Sequence, residues 1–154
     1  EFILGKTIPY IVISLINATI VLLAGYILFG IVIKGNILLL LLGTFAFLFA
    51  ALSLGVFIST ISDSQQVAFQ AANVTSLLPS LILSGFIFPI ASMPVAIQIL
   101  TNITPAKFYI VILRAILLRG AGVSAFWDQL IYLGIFGLVF IVLATLADKK
   151  SKNK

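Results

Sequence analysis

From Ile8 to Ile33 the chain carries no charged residue, and from Ile37 to Ile61 it carries none again. Crossing the hydrocarbon of a bilayer takes about 20 consecutive apolar residues, and both runs exceed that. Water would demand a polar covering that the chain cannot supply. Of its 154 residues, 62% are hydrophobic and 8% charged, whereas a soluble domain carries roughly a quarter charged residues. In lipid the backbone must satisfy its own N–H and C=O groups, and a helix does so within one segment. The expected fold is all-α, a polytopic transmembrane helix bundle embedded in the lipid bilayer.

Four spans are expected, at about 8–33, 37–61, 66–88 and 126–147, within a single transmembrane domain over 1–154. Pro9 suits a helix start, where its missing N–H has no helical partner to lose. Lys34-Gly35-Asn36 reads as a tight polar turn, and Ser62-Asp63-Ser64-Gln65 as a polar break. Ala51, Gly55 and Ser59 recur at a spacing of four. Small residues on one helix face let backbones approach closely in lipid.

The third stretch is the unusual one. Gln66, Gln70, Asn73, Ser76, Ser80 and Ser84 are spaced by three or four, which places them on one face of a regular helix. Such a stripe is costly against lipid. It serves either as hydrogen-bonding glue between helices or as the wall of a wet path. Pro79 lies inside the stretch and should bend it. Gly85 and Pro89 should end it.

Between about 90 and 123 the pattern breaks, with Pro94 and Pro105 as punctuation. Two short helices are expected, Pro94 to Asn102 and Pro105 to Arg119, with Ser92 and Thr104 as hydroxyl caps. The second carries Lys107 and Arg114 on one face and is short for a crossing. The pair reads as an interfacial or re-entrant hairpin at the membrane surface. Trp127, Asp128 and Tyr132 suit the start of a final span.

The net charge of +5 resides mostly at the ends of apolar runs, so it reads as topology and not as affinity for nucleic acid. The lysines from Lys149 to Lys154 point to a cytoplasmic C-terminus. With four spans, the end bearing Lys6 is cytoplasmic as well and the hairpin external. The expected location is the cell membrane.

No enzyme chemistry is expected of the chain. It lacks both Cys and His, and with them the commonest metal ligands and the commonest general base. Its acids, Glu1, Asp63, Asp128 and Asp148, do not pair, and Gly120-Ala121-Gly122 is no phosphate-binding loop. No charge is expected deep in a span, which points to energy entering elsewhere, since ion-coupled carriers keep an acid or base at depth. The opening Glu1-Phe2-Ile3, without Met, reads as the start of a fragment.

Leu83-Ser84-Gly85-Phe86-Ile87-Phe88-Pro89 followed by Met93-Pro94, then Gln98, Thr101, Pro105, Tyr109, Arg114, Gly120, Gly122 and Trp127, resembles the signature of type-2 ATP-binding-cassette export permeases. Gly5-Lys6-Thr7-Ile8-Pro9-Tyr10 resembles the segment that enters the third helix of that family. The resemblance implies six helices per half, of which this chain supplies the last four. It implies a dimer with a second permease subunit, identical or not, and two ATP-binding subunits. No cofactor is then bound by this chain; ATP sits on the partner. Lys6 and Asp63 fall nearest the ATPase, and the stripe from Gln66 to Ser84 suits a substrate path used in alternating access. The function read from the sequence is an export permease subunit. The alternative is a membrane-embedded accessory or assembly protein that transports nothing.

Overall fold

The computed structural model describes residues 2–85 and 87–152, with side chains from residue 5 onward; Glu1, Phe86, Asn153 and Lys154 lie outside them. Among the described residues all regular structure is helical: α1 (Phe2–Phe29), α2 (Ile37–Ile61), α3 (Gln65–Ala72), a π-helical stretch (Asn73–Leu77), α4 (Leu78–Ile82), α5 (Val95–Leu100), α6 (Pro105–Leu117) and α7 (Trp127–Lys152). α1, α2 and α7 are each long and apolar enough to cross a membrane. The bent pair Val95–Ile103 and Pro105–Leu117 also passes that test as a unit.

α1 starts earlier than expected and takes Pro9 into its interior. It also ends earlier. Gly30 adopts φ +61° and its N–H reaches the Tyr26 carbonyl at 3.1 Å, the left-handed ending that glycine permits without a Cβ clash. Ile31 to Ile33 are therefore apolar but not helical. α2 is capped by Asn36, whose side chain accepts from the Leu38 N–H at 2.8 Å.

α2 and α7 form the centre of the bundle and run parallel. Phe49 meets Gly137, and further along Phe57 meets Phe140 edge-on with ring centroids 5.4 Å apart. α6 runs back against α2. Ile116 lies on Gly35, Ile112 on Gly43, and the Tyr109 ring stacks on Phe47 at 4.5 Å. Leu40, Ala50, Phe108, Ile112, Phe126 and Leu133 fill the space among the three helices. α1 packs on α2 alone to any extent, and none of its apolar window is buried.

Close helix approach was expected at Ala51, Gly55 and Ser59. Gly55 and Ser59 are instead exposed, and a Cβ on Gly55 would meet nothing within 4 Å. The tight contacts lie on the neighbouring face of α2. There Gly43 leaves room for Ile112, where a Cβ would come within 2.7 Å of its Cγ2. Without a hydrophobic drive between helices in lipid, such packing and interhelical hydrogen bonds carry the association.

One of those bonds joins α2 to α6. Thr44 donates to the Leu40 carbonyl at 2.8 Å, so the Tyr109 hydroxyl, 2.9 Å away, donates to Thr44. Thr44→Val should loosen this contact by about 0.6 kcal/mol, and by ~1.7 at most, on the scale of side-chain bonds inside membrane proteins. Thermal denaturation in detergent, with Tyr109→Phe and the double variant closing the cycle, measures it; additive losses would show that the two hydroxyls do not interact.

Two polar turns interlock at one end of the bundle. A Cβ on Gly35 would lie 2.8 Å from the Ile116 carbonyl oxygen, and one on Gly120 3.0 Å from that of Lys34. Asp63 and the lysines of α7 stand at the opposite end of α2 and α7. α7 runs past its expected limit into the basic tail, where Lys152 pairs with Asp148 at 3.1 Å.

Candidate functional site

The third apolar stretch does not form the uniform helix expected over 66–88. α3 is capped by the Ser64 hydroxyl, which accepts from the Val67 N–H at 3.3 Å. The helix then widens to π geometry over Asn73–Leu77, resumes as α4, and stops at Ile82. Pro79 has no N–H for the Thr75 carbonyl, and its ring crowds that carbonyl. Widening the preceding turn relieves both, so the distortion precedes Pro79 and the helix continues through it. The chain then turns at Gly85, with φ +81°, and Pro89 leads into a 3₁₀ turn.

The π stretch also breaks the polar stripe, since widening shifts the register of everything beyond it. Gln66, Gln70 and Asn73 are exposed. Ser76, also exposed, and the half-buried Ser80 line a crevice of about 410 Å³. Ser84 is buried, 2% exposed. The six residues thus divide into an outer group and a group that faces the bundle.

The crevice is walled by α2 through Ala51, Leu54 and Ile58, by α7 through Phe136 and Phe140, and by the distorted helix through Thr75, Pro79 and Leu83. Its floor is the hairpin tip, Leu100, Ile103, Thr104 and Pro105. The lining is mostly apolar, with hydroxyls from Thr75, Ser76, Ser80 and Thr104. Such a mixture suits an apolar or amphipathic ligand held by a few oriented polar groups.

The hairpin is re-entrant with respect to the bundle. α5 and its 3₁₀ extension meet α6 at 87°. Its tip shares the crevice with α2 residues between Phe47 and Ile61, and α6 then returns to the Gly35 end. Phe108, Ile112, Ala115 and Ile116 are buried, so α6 packs one face against its neighbours. The expected caps are not made. Ser92 ends a 3₁₀ turn, Pro94 stands at the cap of α5, and Thr104 at the cap of α6 makes no side-chain bond there. Arg114 ties the hairpin to the broken helix, donating to the Gly85 carbonyl at 3.2 Å.

A membrane bundle with a broken helix and an inserted hairpin before its last span calls for comparison with known permeases. Residues 1–118 match the ABC-2 type transporter family. The chain belongs to that family. It is 33% identical over 150 residues to the probable multidrug ABC transporter permease YbhS of Escherichia coli, covering 97% of this chain and 40% of that protein. It is 37% identical over 123 residues to the inner membrane transport permease YhhJ of Escherichia coli, 79% of this chain and 32% of that protein. ABC transporter G family member 20 of Dictyostelium discoideum is 30% identical over 156 residues, 99% of this chain and 21% of that protein. The chain thus spans at most two-fifths of these relatives. No solved structure matches it.

Within this ABC-2 chain, Lys6 and Asp63 are both exposed. Asp63 lies at the lysine-tail end of α2, and Lys6 near the start of α1. No group of three His, Cys, Asp or Glu side chains comes together among the described residues. Lys107, read from the sequence as part of the hairpin, stands half-buried on the first turn of α6 beside the hairpin tip.

Proposed function

We propose that this chain is the membrane-spanning part of an exporter permease subunit, driven by ATP hydrolysed on a separate ATP-binding subunit. The observation that carries the proposal is the crevice: one wall is a helix widened to π geometry at Asn73–Leu77, and the floor is the hairpin tip. A π stretch and a glycine turn give that wall places to bend. Its movement against the α2–α7 pair opens the crevice to one side or the other, as alternating access requires. Ser76 and Ser80 contact cargo in the crevice. Gln66, Gln70 and Asn73 face the second permease subunit, identical or not, across a polar seam that would be costly in lipid. The names of the bacterial relatives favour small, drug-like cargo. This chain supplies the last four of six helices in its half, and the exposed faces of α1 and α3 receive the rest of the assembly.

The turn bearing Asp63, together with Lys6, faces the ATP-binding subunit in the cytoplasm, where the lysine tail also lies by the positive-inside rule. The Lys34 and Gly120 turns are then external. Gly122 is open, since a Cβ there would meet nothing within 4 Å, so Gly122→Cys should react with a membrane-impermeant thiol reagent added outside intact cells. Labelling only after the cells are opened would reverse the orientation. The function itself is tested by placing the full-length protein with its cognate ATP-binding subunit in liposomes. Cargo export should then depend on ATP, and transport indifferent to ATP would refute it.

A further inference from the structure

Lys107 is a cation without an anion. The ion pair that the described residues make, Lys152 with Asp148, stands at the far end of α7. The Lys107 ammonium donates instead to two neutral acceptors of the hairpin tip, Thr101 Oγ1 at 3.0 Å and Asn102 Oδ1 at 2.6 Å. It also stands over the Phe108 ring, 5.7 Å from the centroid, a weak cation–π contact. An ammonium has three donors, so one N–H remains, and no carboxylate among the described residues offsets the charge.

Tyr109, two residues on, stacks on Phe47 of α2, so Lys107 lies on the other side of α6, half-buried on its outer face. The first turn of a helix is also the positive end of its dipole, where a further cation is disfavoured. Arg114, seven residues on, adds a second positive charge to the same face of α6. A lysine among apolar side chains usually snorkels toward water or pairs with an acid. This one folds back onto the hairpin tip.

In front of it lies a second, shallower cleft of about 280 Å³, lined by Ile90, Val95, Gln98, Ile99, Asn102 and Lys107. Val95 is 72% exposed and Ile99 64%. The cleft thus joins a positive, amide-bearing corner to an open apolar wall. A hydrated inorganic anion has no use for that wall, whereas an amphiphile with an anionic head fits both parts.

We infer that Lys107 and Asn102 form a binding site for the phosphate head of an amphiphile, whose acyl part lies along Val95 and Ile99. The Lys107 ammonium and the Asn102 amide N–H groups bond its oxygens, and the N-terminus of α6 adds its partial positive charge. The site lies on the side of the hairpin away from the crevice floor, and it does not depend on the export reading.

The test is equilibrium binding of tail-labelled phosphatidylglycerol to the full-length protein in an uncharged detergent, read by fluorescence anisotropy. Phosphatidylglycerol should bind at least about tenfold more tightly than diacylglycerol with the same chains, a scale typical of one charge-assisted contact. Lys107→Arg should keep that preference and Lys107→Gln should lose it. Millimolar inorganic phosphate should fail to displace the lipid. Equal binding of diacylglycerol, or an undiminished preference in Lys107→Gln, would overturn the site. Displacement by inorganic phosphate at concentrations comparable to the lipid would overturn the amphiphile and leave a free-anion site. Should Lys107→Gln not fold, the wild-type protein decides. Phosphatidylglycerol, but not diacylglycerol, should slow acylation of the Lys107 amine as followed by peptide mass spectrometry, and equal protection by both would refute the inference.

Discussion

Gly137→Leu is expected to cost this bundle about 1–3 kcal/mol, the usual range for forcing extra carbons into a filled contact. Gly137 lies where α7 crosses the Phe49 ring of α2, so closely that even a Cβ would strike the ring edge. α2 and α7 are the most extensively packed pair in the molecule. A leucine must push the ring out of its place or the helices apart, and Leu133 and Ala50, fully buried nearby, leave the ring little room. Gly134, one turn earlier on the same helix, is the control. A Cβ there meets nothing within 4 Å, so Gly134→Ala should be neutral or stabilising by up to about 1 kcal/mol, the helix preference of alanine over glycine. Thermal denaturation in detergent, followed by circular dichroism, separates the two. Phe49→Ala should restore part of what Gly137→Leu loses. A Gly137→Leu protein as stable as Gly134→Ala would mean that α2 and α7 do not meet as described.

Ser80→Phe is expected to leave the bundle assembled and reduce transport by roughly tenfold or more, equivalent to about 1.4 kcal/mol or more of lost cargo binding. Ser80 is half-buried and faces the crevice, where a phenyl ring would find apolar walls and occupy space assigned to cargo. The comparison is with Gln70→Leu and Asn73→Leu, on the exposed side of the same broken helix. Those two should disturb association between permease subunits, seen as a shift in size-exclusion elution, and affect transport only through that loss. If Ser80→Phe transports normally, the crevice is not the path. If it fails to assemble while transport per assembled protein is unchanged, the crevice is packing space and the accessory reading returns.

The membrane character of the chain was legible because it rests on local composition. The uncharged runs at Ile8 and Ile37 require lipid whatever surrounds them, and Asn36 caps α2 at the residue the polar turn indicates. Helix limits were less legible where the pattern is apolar throughout. Ile31 to Ile33 look like more span, yet Gly30 has already ended α1. The stripe from Gln66 to Ser84 was legible as a polar feature but not as two groups. Periodicity assumes a constant rise and turn, and the π stretch before Pro79 changes both. The small residues of α2 showed the same limit: composition indicates that a helix can be approached closely, and the shape of its neighbour decides where, at Gly43 and not at Gly55.

From the sequence alone come the solvent, the all-helical architecture and the family, because apolar length, breakers and motif order are properties of the chain itself. The tertiary structure alone decides the functional geometry: the packing of the hairpin on α2, the crevice it floors, and the place of Lys107 at the second cleft. A lysine two residues after Pro105 looks interfacial in any linear reading. The packing of Ile112 on Gly43 and Tyr109 on Phe47 sets α6 against α2 and leaves that charge on the outer face of α6, at the second cleft.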